Sequence, residues 1–194
     1  MLKLGITGGI GAGKSIVCKI FSNWGVPVFN ADFEARDLMI FNKELVKKIK
    51  LYFGDLAYNE DGTLNKTYIS EIVFNDRVKL AKLNKMVHPF VKELFLLWAM
   101  KQDARYVIEE AAILFESGSD KNMDKTVLVY CEKETRIKRI VKRNNIPKEQ
   151  IEKIMANQLD EEEKCKKADY IVYNNEKTLL LPQLIKIHKE LTAI

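Results

Sequence analysis

Eight residues near the start of the chain, Gly8–Gly9–Ile10–Gly11–Ala12–Gly13–Lys14–Ser15, fit the pattern G-x-x-x-x-G-K-[ST]. Each part of that pattern suits a nucleotide phosphate. Glycines let successive backbone N–H groups turn inward around an anion without side-chain clashes. A helix opening at the end of the loop presents its N-terminus to the same anion. Lys14 supplies a mobile point charge near a transferring phosphoryl group, and the Ser15 hydroxyl suits Mg²⁺. A chance glycine-rich turn is the alternative. Here, however, an apolar run precedes the loop and an amphipathic run follows it, which is the setting the pattern requires. Gly9, Ile10, Gly11, Ala12, Gly13, Lys14 and Ser15 are therefore the expected nucleotide-phosphate-binding residues.

Phosphoryl transfer needs more than a loop. An acid that supports Mg²⁺ is expected at another strand end, where Glu109 and Glu110 follow Val107–Ile108; charged residues also end strands for no chemical reason. A base or positioning group for an acceptor hydroxyl is expected from Asp32, just past a second strand, where open α/β sheets bind ligands. Its plain alternative is a helix N-cap. Arg36, one turn on, would share the face of Asp32 and suit an acceptor phosphate, or simply pair with Asp32 at i,i+4. Arg136, Arg139 and Arg143 recur at i, i+3, i+7 and could cover the phosphates and exclude water, or form a solvated basic face. His88–Pro89 falls at an expected helix junction, where His88 is as well suited to packing as to a ligand. No N-K-x-D tetrapeptide occurs, and Asn174–Asn175–Glu176–Lys177 has the wrong order, so a guanine-reading GTPase is disfavoured.

These residues must be held by an α/β frame. Leu2 to Thr7 reads as a buried strand ending in glycines, and Ile16, Val17, Ile20, Phe21 and Trp24 recur at helical spacing, with Gly25 as the stop. Val26 to Asn30 reads as a second strand, which makes a βαβ unit and hence a parallel sheet. Tyr106–Glu109, Thr126–Tyr130 and Tyr170–Tyr173 give three more strands. A last helix carries Leu180, Leu184, Ile187, His188 and Leu191 on one face. The expected architecture is a five-stranded parallel sheet flanked by helices, formed by residues 1–30, 103–135 and 168–194. A helical subdomain (31–102) and a charged helical excursion (136–167), turning at Asn145–Ile146–Pro147, are inserted into it.

Composition sets the bounds. The chain has 194 residues, 47% of them hydrophobic and 30% charged, which excludes wholesale disorder. Its longest apolar run, Leu94 to Met100, is far below the roughly 18 residues that span a bilayer. Together with an N-terminus unlike a signal peptide, that suggests a cytoplasmic protein. Cys18, Cys131 and Cys165 lie far apart without C-x-x-C spacing and are expected to be buried or idle thiols. A net charge of +5, from 32 basic and 27 acidic residues, is too slight to point to a partner. No nucleic-acid, membrane or obligate protein partner is expected.

Across nearly its whole length the chain resembles the dephospho-CoA kinases, which phosphorylate the ribose 3′-hydroxyl of dephospho-CoA in the last step of coenzyme A biosynthesis. The resemblance is carried by Gly5 through Ser15, Asn30–Ala31–Asp32 with Arg36, Phe53–Gly54, Asp61 to Leu64, Ile72 to Phe74 and Val87–His88–Pro89. It continues through Leu114–Phe115–Glu116, Arg139 with Arg143, Gln158, and Ala168 to Val172 with Asn174. It implies a P-loop kinase core, a helical coenzyme A domain and a lid. It further implies a catalytic set of Asp32 as base, Lys14 and Arg139, and an ATP site that includes Arg143 and Asn174. The acceptor side would be formed by Asp32, Arg36, His88, Leu114 and Phe115, and Mg²⁺ would be held by Ser15 and Glu110. Glu110 stands where the family has Asp, Asn65–Lys66 where it has an Asp-Arg pair, and Lys153 where it has Arg; lysine keeps the charge but not the bidentate geometry. Ile16 replaces a threonine, and Ala112–Ile113–Leu114 stands for Pro-Leu-Leu. Two other readings remain: a different small-molecule kinase on the same core, and a nucleotide sensor or assembly ATPase without a small acceptor.

Overall fold

The computed structural model describes residues 1–144 and 147–193. The chain forms two compact units, Met1–Asn30 with Lys101–Ile194, and Ala31–Met100.

In the first unit, β1 (Leu2–Thr7) leads through the glycine loop into α1 (Lys14–Asn23) and then β2 (Val28–Asn30). The second strand starts two residues later than its sequence suggests. Pro27 has no N–H for a ladder, though its carbonyl accepts from Ile108 N–H at 2.9 Å. The second unit holds α2 (Ala31–Phe41), α3 (Lys43–Phe53), α4 (Lys66–Asn75) and α5 (Arg77–Ala99). The chain then returns to the first unit with β3 (Tyr106–Glu110), β4 (Lys125–Tyr130), α6 (Lys133–Asn144), α7 (Lys148–Ala156), α8 (Glu161–Lys167), β5 (Tyr170–Tyr173) and α9 (Leu180–Thr192).

The five strands are all parallel, in the order β2-β3-β1-β4-β5. Central β1 turns Leu2, Leu4 and Ile6 to one face and Lys3, Gly5 and Thr7 to the other, with Leu4 through Thr7 buried. Leu4, Ile6, Val127 and Val129 pack with Val17 and Phe21 of α1 and Leu184 and Ile187 of α9. Register decides which side chains meet at the carboxyl ends. Ile6 lies beside Glu110, and Glu110 lies beside Asn30.

Edge strand β5 is stapled by a carboxylate. Asp169 Oδ2 accepts from the N–H and the hydroxyl of Thr126, each at 2.8 Å, and Lys125 Nζ approaches Oδ1 at 3.2 Å. Burial alone would raise the Asp169 carboxyl, but these donors outweigh it and hold it below the usual carboxylate value. Its stabilisation is therefore present at neutral pH and lost as pH falls through the carboxylate range. Asp169→Ala leaves the buried Thr126 donors unpaired and should cost about 1–3 kcal/mol, read as a lower urea midpoint. Asp169→Asn should flatten the acid limb of the stability profile.

In the second unit the helix boundaries are written in the side chains. Asn42, Asn65 and Asp76 each accept a hydrogen bond from the first turn of α3, α4 and α5, and Gly54, at φ 87°, ends α3. Leu83, Val87, Val91, Phe95 and Ala99 are buried at strict i+4 spacing along α5, and Leu45, Ile49 and Phe53 likewise along α3. That unbroken apolar stripe corrects the expected junction at His88–Pro89: Pro89 lies inside a 23-residue helix. The proline forfeits one backbone hydrogen bond, which the sustained burial on both sides offsets.

Of the turn expected at Asn145–Ile146–Pro147, Asn145 and Ile146 lie outside the described residues, and Pro147 is the N-cap of α7. Among the described residues no helix is long and apolar enough to cross a membrane.

Candidate active site

The loop from Gly8 to Gly13 ends in Gly13, at φ 95°, which is the N-cap of α1. No side chain caps that helix and none of its own first-turn residues is acidic, which leaves its first amides and dipole suited to an anion. Lys14 Nζ donates to the Gly8 carbonyl at 2.9 Å, which folds the amine back across the loop. Asn174, just past β5, donates from Nδ2 to the Ala12 carbonyl at 2.8 Å and lies where a Cβ on Gly13 would have to go. Any side chain at Gly13 would meet both an unfavourable φ and Asn174.

At the strand ends an oxygen-rich chain crosses the sheet. Ser15 donates its hydroxyl to Glu110 Oε1 at 3.2 Å, and Asn30 Nδ2 donates to Glu110 Oε2 at 3.2 Å. The strand register puts Glu110 within reach of both. Glu109, its neighbour, is buried, and Glu116 instead accepts from Leu159 N–H at 2.7 Å. Of the three acids, Glu110 is the one bonded to Ser15. Cys18, one turn along α1, is held strongly toward its protonated form, by burial first and then by the Glu110 carboxylate. Cys18 is thus the buried, unreactive thiol that its sequence setting suggests, and it sits i,i+3 from Ser15. A hydroxyl and a carboxylate are hard oxygen donors of the kind Mg²⁺ takes in small number, with phosphates and water completing its shell. The residues fit that ion.

The three arginines of α6 do not act as one face. Arg139 bonds the Asn174 carbonyl and Glu176 Oε1, each at 3.1 Å, and approaches Cys131 Sγ at 3.5 Å. Arg143 is exposed. Arg136 is buried, ion-paired with Glu161, and lies against Gly9. The excursion also grips the loop through apolar packing of Ile10 against Ile137, Ile140 and Ile151. Gln158 fixes it further, accepting from Ile10 N–H at 3.1 Å and donating to the Ala112 carbonyl at 3.3 Å.

Leu114, expected on the acceptor side, is fully buried, with its Cδ2 only 2.6 Å from where a Cβ on Gly5 would sit. Phe115 is also buried. In the second unit, Asp32 is half-buried in the first turn of α2, two residues after β2 ends, and Arg36 is exposed one turn on. His88 is half-buried within α5, where burial lowers its pKa and favours the neutral ring.

A family model described as dephospho-CoA kinase matches residues 2–179. A dephospho-CoA kinase of Bacteroides fragilis is 36% identical over 193 residues, covering 96% of this chain and 91% of that protein. The crystal structure of a Thermus thermophilus protein aligns with a TM-score of 0.82 at 30% identity, covering 99% of this chain and 96% of the other. That of a dephospho-CoA kinase from Campylobacter jejuni aligns with a TM-score of 0.68 at 26% identity, covering 98% and 97%.

Proposed function

Because the chain belongs to the dephospho-CoA kinase family and is a kinase, we propose that it transfers the γ-phosphoryl group of ATP to the ribose 3′-hydroxyl of dephospho-CoA. On this reading ADP and coenzyme A are the products, and both substrates are small molecules. The observation that carries the donor half is the Ser15–Glu110–Asn30 chain at the strand ends, set beside a loop and a helix N-terminus that no side chain caps. The acceptor half comes from the family.

In this mechanism the amides of residues 9 to 13 and Lys14 hold the phosphates, and the Lys14 amine leaves the Gly8 carbonyl to do so. Ser15 and Glu110 would hold Mg²⁺, which when bound neutralises phosphate charge. Asp32 accepts the hydrogen bond of the acceptor hydroxyl and takes its proton as the bond to phosphorus forms. What supports that role is its place two residues beyond the carboxyl end of β2, where Asn30 already meets Glu110. Arg139, held by Asn174 and Glu176, supplies charge to the phosphates, with Arg143 and Asn174 completing the ATP side. Arg36 and His88 face the acceptor, Arg36 as a partner for its diphosphate. Leu114 acts by supporting Gly5 and the loop beyond it, with Phe115 beside it in the chain.

The test is ADP release from MgATP with and without dephospho-CoA, beside nucleoside monophosphates and small hydroxylated acceptors. Strong stimulation by dephospho-CoA alone, with the 3′-phosphorylated product, is the expected result. Stimulation by another acceptor would discard the acceptor half. ATP binding without any acceptor-dependent turnover would favour a nucleotide sensor.

A further inference from the structure

Four buried side-chain atoms among the described residues have no hydrogen-bond partner: Thr7 Oγ1, Arg136 Nε, Glu161 Oε2 and Lys164 Nζ. Thr7 immediately precedes the phosphate loop, and the other three belong to one ionic cluster. Arg136 Nη1 lies 3.3 Å from Glu161 Oε1. Lys164 Nζ lies 3.9 Å from that same oxygen and 3.3 Å from Glu116 Oε1. The Arg136 side chain is 6% exposed and that of Lys164 is 0% exposed.

This cluster abuts the loop. A Cβ on Gly9 would land on the Arg136 guanidinium and come within 2.6 Å of Glu161 Oε1; one on Gly11 would lie 2.8 Å from the Arg136 carbonyl. Lys14, whose amine serves the β- and γ-phosphates in loops of this type, reaches Gly8, the residue next to Gly9. Arg136 therefore flanks the same stretch of loop as Lys14.

Two cations and two carboxylates balance the formal charge of the cluster, but its hydrogen bonding does not close. A network that served only to brace the fold would pair its buried donors, since each one left unpaired is destabilising. Here the spare donors gather on two cations, and Glu161 sits between them within reach of either. A further anion beside Gly9 would compete with Glu161 for Arg136.

We propose that Arg136 is a donor-phosphate ligand that selects the terminal phosphate of a nucleoside triphosphate, and that Glu161 is an internal anion competing with that phosphate for it. When phosphate takes the guanidinium, Glu161 turns to Lys164, whose Nζ gains the hydrogen bond it lacks. The inference rests on ATP as the donor.

The test is calorimetric titration of MgATP and MgADP into the full chain and two variants. Glu161→Gln keeps the shape and removes the competing charge, and should tighten ATP by about threefold to tenfold with a smaller change for ADP. The double variant Arg136→Ala/Glu161→Gln leaves no buried carboxylate unpaired, so it should fold. Relative to Glu161→Gln it should lose about tenfold or more in ATP affinity and much less in ADP affinity. A purely structural cluster would move both nucleotides together, along with thermal stability. Unchanged or weaker ATP binding by Glu161→Gln, or equal losses for ATP and ADP in the double variant, overturns the competition. A wild-type chain that binds neither nucleotide removes the ATP reading itself, and this inference falls with it.

Discussion

Asp32→Asn is expected to lower turnover with dephospho-CoA by about two to four orders of magnitude, the range general-base groups contribute, while ATP affinity stays within about twofold of wild type. The substitution keeps size and hydrogen-bonding shape but removes the only feature a base needs, a carboxylate that can take a proton. A competing explanation for an acid at this position is helix stabilisation. α2 begins at Ala31, so Asp32 lies within the first turn, where Glu34 also lies. Its charge there interacts favourably with the helix dipole by about 0.3–1 kcal/mol. Losing that would shift the melting temperature slightly and leave chemistry nearly intact, whereas a hundredfold loss of rate corresponds to about 2.7 kcal/mol on the barrier. The two roles are therefore separated by magnitude as well as by type of measurement. Steady-state rates at saturating ATP, set beside calorimetric ATP binding, decide between them. Turnover within a few-fold of wild type would remove Asp32 from the chemistry.

The parts of the site legible in the sequence are those where function and local structure use the same residues. The glycine loop is one: glycine spacing, the apolar strand before it and the helical run after it all fall within 23 residues, and each recurs in β1, the loop and α1. Register is the first thing that local reading loses. Nothing near Glu110 distinguishes it from Glu109; the choice follows from pairing Val28, Phe29 and Asn30 of β2 with Ile108, Glu109 and Glu110. The arginines show the same limit. Their spacing on α6 was plain, but Arg136 meets Glu161 and Arg139 meets Asn174 and Glu176, partners 25 to 37 residues away whose pairing depends on how α8 and β5 return to the loop. Pro89 shows the reverse case, where a strong local signal lost to an apolar stripe running through it from Leu83 to Ala99.

Lys14→Ala should differ from Asp32→Asn in kind, because Lys14 serves the donor before any acceptor arrives. Its amine is anchored on Gly8 at 2.9 Å, and the residue opens α1 directly after the glycine N-cap. Alanine is the best helix former and carries no group the fold requires at this place, so the variant should melt within a few degrees of wild type. What it loses is a cation aimed at charge that grows on the transferring group. Removing one such preorganised donor costs about 10²–10³-fold in rate, and here the same charge also holds the ground-state phosphates. The expected result is a loss of that size in kcat together with a higher KM for ATP, where Asp32→Asn lowers kcat alone. Lys14→Arg should not restore activity, because a broad planar fork on a stem one methylene shorter does not place a compact ammonium where Lys14 reaches Gly8. If Lys14→Ala raised KM with kcat untouched, the lysine would be a tether for ATP only, and stabilisation of the transferring group would have to rest on Arg139 and the loop amides.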